Sequence, residues 1–305
     1  MQNVGNVSEL LDPEVAAAID QAGFQVRAFR RISRTRSPKI RRSVYRIDLE
    51  SGRTIKARRF EDCEVARQLF DIRRELPDSF ARAFARHGAV LLEDWIEGES
   101  LENLPPSDTH LVDAGSLLAE LHLTRTVAGQ PLHEICSTAA WRNEAERSLC
   151  KISACGALHE SDVRLIRGAL QRLDPQRAIY GLAHTDFCGE NMVTDRAGRL
   201  RIVDNERVGI NALGFDVART WYRWALPEPA WERFRCVYAE RTQLTEPLET
   251  IGFWSIVAVA HSAALRLRVD RARVRIPLDR LRRMAIALDE RRTSSHGYRE
   301  FPRQG

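Results

Sequence analysis

The apolar pattern changes its period near residues 94–98, and that change most limits what the chain can fold into. Upstream, Gln25–Ser33, Ser43–Leu49 and Thr54–Phe60 read as strands, and Ala89–Leu92 as a shorter one. Helices flank them. Asp12 suits an N-cap, Pro13 a first helical position and Gly23 a C′ position, and Glu61–Glu75 reads as a second helix. Downstream, Asp108–Leu123 repeats apolar residues every 3.6 positions. Glu144–Leu149, Ser161–Leu173 and much of Trp231–Leu288 also read as helices. A small sheet-bearing region followed by a larger helical one predicts an α+β chain of two lobes. The expected boundaries are 1–93 for the N-terminal lobe, 94–98 for a hinge and 99–305 for the C-terminal lobe, with a loose polar tail over 291–305.

Charge and cysteine content exclude several classes. The longest apolar stretch, residues 251–265, has 15 residues and includes His261, so no membrane span is expected. The start, MQNVGNVSELLDPE, lacks the basic and apolar regions of a secretory signal. The six cysteines form no C-x-x-C pair, and reduced thiols in a cytoplasmic protein are expected. Basic residues are 44 Arg and 3 Lys. Residues 1–93 carry a balance of +5, residues 94–261 of −7 and residues 262–305 of +7. Eight basic residues lie between Arg30 and Arg46 with Tyr45 as the only aromatic, so nucleic acid is not the expected partner.

Lys56 is the first residue to raise a chemical question. Counting outward from a turn at Glu50-Ser51-Gly52-Arg53 sets Ile47 opposite Lys56, and Tyr45 opposite Arg58. Lys56 then shares an apolar face with Tyr45, Ile47 and Leu49. An ammonium there needs an anion, and Glu64 or a bound phosphate could supply it. Snorkelling to the sheet edge is the plain alternative.

The segment Tyr180–Asp216 is richer. Met192–Thr194 and Leu200–Val203 read as strands joined by a turn at Asp195–Gly198. Their pairing returns Asp204 to the neighbourhood of Gly189–Asn191, just after Asp186. Hard oxygen donors gathered in this way suit Mg²⁺, and a carboxylate clear of the metal can take a proton from a hydroxyl. Those are the parts of a phosphoryl-transfer site.

These residues carry a resemblance to a known family. His184-Thr185-Asp186 followed by Asn191 resembles the H-x-D-x-x-x-x-N catalytic loop of kinase-like phosphotransferases. Asp204 resembles their metal-binding Asp, and Gly214-Phe215-Asp216-Val217-Ala218 a downstream Gly-x-x-x-Asp-Leu-Ala segment. Leu117–His122 is similar to their L-L-A-x-L-H helix, and Leu91–Gly98 to their hinge. Together they resemble the aminoglycoside phosphotransferase and choline kinase group. The resemblance implies a bilobal protein-kinase-like fold with an antiparallel-sheet N-lobe and a mostly helical C-lobe. It implies an enzyme that moves the γ-phosphate of ATP, with Mg²⁺, to a hydroxyl of a small molecule.

It also implies roles. Asp186 orients or deprotonates the acceptor hydroxyl. Asn191 and Asp204 hold the metal. Lys56 contacts the α- and β-phosphates, held by Glu64, with Glu75 as the fallback partner because Lys56 to Glu64 is a short interval. Asp94 C=O and Ile96 N–H bind adenine. His184 and Asp216 brace the loops, and Glu206 is either a surface acid or a neighbour of the metal site. The sequence departs from the pattern in a glycine-free loop, Arg34–Arg42, where Ser33, Ser37 and Ser43 could stand in. It also departs at Asn205 after the metal Asp and at Thr185 where glycine is frequent. A catalytically inactive relative that binds a nucleotide or a protein is the competing expectation. Sugars, sugar phosphates, other hydroxylated metabolites and antibiotics stay open as acceptors. Trp221, Trp224, Trp231 and Trp254 are expected to pack helices or to line a sugar site.

Overall fold

The structure is a computed structural model that describes residues 11–32, 43–102, 104–204, 206–269 and 271–293. Ser33, Ser37, the loop Arg34–Arg42, Asn205 and residues 294–305 of the tail lie outside the described residues. The chain forms two compact units. The first comprises residues 1–104, 127–130 and 190–206; the second comprises 105–126, 131–189 and 207–305. Residues 190–206 thus group with the N-terminal elements, although the sequence places everything from residue 99 onward in one lobe.

The first unit opens with α1 (Pro13–Gln21). Asp12 caps it by accepting from Glu14 N–H at 3.1 Å. Gly23 closes it at φ +73, with Gly23 N–H and Phe24 N–H donating back to Asp20 O and Ile19 O. Five strands follow, with a helix between the third and fourth: β1 (Val26–Arg31), β2 (Ser43–Leu49), β3 (Thr54–Arg59), α2 (Cys63–Glu75), β4 (Ala83–His87) and β5 (Val90–Asp94). They make one antiparallel sheet in the order β1-β2-β3-β5-β4. Val15, Ala18 and Ile19 of α1 share a buried cluster with Tyr45, Ile47, Leu49, Ile55, Ala57, Val90 and Leu92.

The register of β2 against β3 corrects the sequence reading by one residue. Leu49 N–H donates to Arg53 O and Gly52 N–H to Leu49 O, so the loop is Glu50-Ser51-Gly52 with Gly52 at φ +83. A left-handed glycine in a three-residue loop closes the hairpin one position early. Ile47 therefore faces Ile55, Tyr45 faces Ala57 and Arg46 faces Lys56. A one-residue slip exchanges the two faces of a strand, and it moves Lys56 and Arg58 off the apolar face.

The second unit begins at α3 (Asp108–Leu123), capped by Ser107. The short strands β7 (Thr126–Val127) and β8 (Gln130–Pro131) bracket residues 127–130, which group with the first unit, and the second unit continues through β9 (Glu134–Ser137) to α4 (Ala139–Ala154), α5 (Glu160–Arg172) and β10 (Arg177–Ala183). The earlier strand β6 (Gly98–Ser100) belongs to the first unit with β11 (Met192–Asp195) and β12 (Leu200–Ile202), in the order β12-β11-β6. A side chain at Gly98 would collide with the Thr194 backbone of β11, so only glycine permits this pairing. Then come β13 (Gly209–Ala212), α6 (Leu213–Trp224), α7 (Glu228–Thr242), α8 (Glu246–Glu249), α9 (Ile251–Val269) and α10 (Arg275–Thr293). Strand β10 lies between β13 and β9. Trp221, Trp231 and Trp254 are buried among helices, so packing rather than an exposed platform is their role. Among the described residues no helix is long and apolar enough to cross a membrane.

Candidate active site

In the first unit, β3 presents Lys56 and Arg58 on one face, both buried. Lys56 pairs with Glu93, its direct neighbour on β5, with Nζ 2.9 Å from Oε1. The buried Arg73 of α2 pairs with the other oxygen of Glu93. This corrects the expected partner of Lys56. Glu64 is exposed on the first turn of α2, where it pairs with Arg67. Glu75 accepts from Ala128 N–H at 2.6 Å. Glu93 reaches Lys56 because β5 pairs with β3, whereas α2 turns an arginine rather than an acid toward the same place.

Lys56 Nζ also donates to Val203 O at 2.6 Å, one residue before Asp204. Arg58 Nη2 donates to Asp204 Oδ1 at 2.9 Å, and its Nη1 lies 3.4 Å from Glu206 Oε2. Arg58 is 5% exposed and Asp204 49%. Burial holds the Lys56 amine well below its ordinary value; Arg58 and Arg73 add to that shift, and Asp204 and Glu206 oppose it.

The β11–β12 hairpin sets Met192 opposite Ile202. Beyond that pair, Val203 N–H donates to Asn191 O at 3.0 Å. Asn191 and Asp204 therefore leave neighbouring strand ends, as the sequence pairing expects. Among the described residues no three His, Cys, Asp or Glu side chains gather as metal ligands. An amide oxygen and a carboxylate alone fit Mg²⁺, which takes few protein ligands and completes its shell with phosphate and water. Asp94 ends β5, pairs its carboxylate with Arg53 and donates its N–H to Arg82 O. Ile96 follows, half-buried.

In the second unit, buried Asp216 organises the loop after β10. It accepts from His184 N–H at 2.6 Å and Thr185 N–H at 2.8 Å. His122 Nε2 lies 3.1 Å from Asp216 Oδ2, and His122 Nδ1 lies 2.8 Å from the Tyr238 hydroxyl. An ionised carboxylate only accepts, so Nε2 of His122 carries a proton. Burial pushes the Asp216 carboxyl up, but the hydrogen bond and charge of His122, with His184, outweigh it and the net shift is downward.

Thr185 stands at φ +58, a region in which a β-branched residue is strained. That is the physical reason glycine suits this position. Here the Asp216 and Arg219 contacts hold Thr185 in place. Asp186 N–H donates to the ring Nδ1 of His184 at 3.2 Å. The Asp186 carboxylate receives Arg219 Nη2 at 3.0 Å, and Arg223 Nε lies 3.0 Å from the same oxygen. Glu93, Arg73, Arg219 and Arg223 were not picked out in the sequence. An arginine every fourth residue on α6 was a visible signal, but its target was not.

An antiparallel-sheet N-terminal region with a helical C-terminal region is the architecture of a protein-kinase-like fold. The chain belongs to the phosphotransferase enzyme family, whose model matches residues 73–251, more than half its length. Its fold is similar to a macrolide 2'-phosphotransferase from Brachybacterium faecium, with 14% identity over 88% of this chain and 98% of that one and a TM-score of 0.61. A choline kinase from Streptococcus pneumoniae covers 90% and 98% at 13% identity and a TM-score of 0.61. An aminoglycoside phosphotransferase with bound ADP covers 91% and 99% at 13% identity and 0.59. At these identities the likeness is one of fold. No curated relative matches the sequence.

Proposed function

We propose that this protein is a cytoplasmic kinase that transfers the γ-phosphate of ATP, with Mg²⁺, to a hydroxyl of a small molecule. The observation that carries the reading is the meeting of Lys56 with the Val203–Asp204 backbone, 147 residues along the chain. A buried amine and a half-exposed carboxylate drawn together in this way suit a triphosphate and its cation. On this reading Lys56 binds the α- and β-phosphates, and Glu93, in the place expected for Glu64, fixes it. Asn191 and Asp204 hold the cation, which when bound neutralises charge on the transferring phosphoryl group. Asp94 C=O and Ile96 N–H bind adenine. Asp186 orients the acceptor hydroxyl and takes its proton as the oxygen bonds to phosphorus and ADP leaves.

The test is ADP release with Mg-ATP over a broad acceptor panel, wild type against Asp186→Ala. The variant is expected to lose about 10²- to 10⁴-fold in kcat while staying folded. The inactive-relative reading draws on the guanidinium partners of both Asp186 and Asp204. It wins if pure, folded wild type neither binds Mg-ATP nor phosphorylates any acceptor.

A further inference from the structure

Helix α6 turns two arginines onto the candidate base. Arg219 and Arg223 are four residues apart and share one face of the helix. Both reach Oδ1 of Asp186 at 3.0 Å. Arg219 is anchored from behind, its Nε donating to Thr185 O at 3.0 Å. The side chains of Arg219, Arg223 and Asp186 are 10%, 21% and 23% exposed, so the cluster reaches solvent along its Arg223 and Asp186 edge. The exposed Arg207 adds a third positive charge that acts on Arg219.

Holding a carboxylate in place needs one fixed donor, and Arg219, tied to the Thr185 carbonyl, already supplies it. Arg223 brings a second guanidinium to the same oxygen, at the more open edge. A hydroxyl that reaches Asp186 arrives within a few ångströms of both. Substituents one to three bonds from that hydroxyl then meet guanidinium N–H groups. The planar fork of arginine matches the oxygens of a carboxylate or phosphate, whereas an ammonium at that distance meets like charge.

We infer that the acceptor is an anion whose reacting hydroxyl lies near a carboxylate or phosphate, which Arg223 binds together with Arg219. The inference rests on the phosphotransferase reading above and narrows its substrate class. The experiment compares acceptors that differ only in charge, by ADP release with Mg-ATP: glycerol 3-phosphate against glycerol, ribose 5-phosphate against ribose, and glycerate against glyceramide, with ethanolamine as a cationic arm. An anionic member is expected to exceed its neutral partner at least tenfold in kcat/KM, and the pair that responds tells phosphate from carboxylate. Arg223→Gln should bring that ratio toward one, mainly through KM, and Arg223→Lys should restore part of it, with melting temperatures checking the fold.

Neutral or cationic acceptors turned over best would overturn the inference and leave phosphotransfer standing. So would an Arg223→Gln loss equal for charged and neutral acceptors. If no acceptor releases ADP, calorimetric titration of the same anions into ADP-saturated protein decides. Binding that Arg223→Gln abolishes supports the anion site although phosphotransfer fails, and the absence of binding removes the site.

Discussion

Glu93 sits between the ammonium of Lys56 and the guanidinium of Arg73, fully buried. Removing one member of a buried charge cluster leaves the others uncompensated, at a cost of about 3–5 kcal/mol. Glu93→Gln should therefore lower the unfolding free energy by that amount, read as a lower denaturant midpoint at an unchanged slope, and weaken Mg-ATP binding. Glu64→Gln removes only an exposed pair with Arg67 and should leave both measurements where they are. Equal effects from the two variants would show that Lys56 is fixed by something else. The sequence reaches the need of Lys56 for an anion through a register one residue off, and the need holds because β3 is buried on both faces. The identity of the anion was not legible, because it depends on which strand pairs with β3. Arg58 on Asp204 was hidden for the same reason, since the face to which an arginine of β3 points follows from the loop count.

At the level of elements, turns and caps were read well and their residue counts less so. Asp12, Pro13 and Gly23 mark α1 as expected because capping is local chemistry. A turn containing Gly52 was equally plain, but whether it holds three or four residues decides the register, and only the closed hairpin shows three. Two glycine variants separate conformation from contact. At Gly52 an added Cβ meets nothing within 4 Å, so Gly52→Ala should cost about 1 kcal/mol from φ +83 alone. At Gly98 the same methyl strikes the β11 backbone, so Gly98→Ala should cost about 1–3 kcal/mol through misfit. Thermal unfolding of both should rank Gly98→Ala lower. The reverse order would mean that β6 is not held against β11 as described.

Across the whole molecule, the division into units does not follow the chain, since residues 190–206 return to the N-terminal elements. A pattern read in order along a sequence cannot see such a return. The resemblance singles out Asp186, Asn191 and Asp204, and folding distributes them: Asp186 to one unit, Asn191 and Asp204 to the other. The second unit closes around Asp216, which joins the His184–Thr185 loop to α3 through His122. Its carboxyl is lowered in the fold relative to the unfolded chain, where an aspartate titrates near about 3.9. A depressed pKa gives stability that is present above the unfolded value and lost as pH falls through the folded one. Unfolding free energy should therefore drop as pH falls below about 5. Asp216→Asn keeps the shape but puts an N–H₂ where one of three donors now finds an oxygen. It should cost about 3 kcal/mol at pH 7 and flatten the acid limb. Denaturant titrations of both proteins across that range check this. Parallel curves would place the acid sensitivity of the molecule elsewhere than in Asp216.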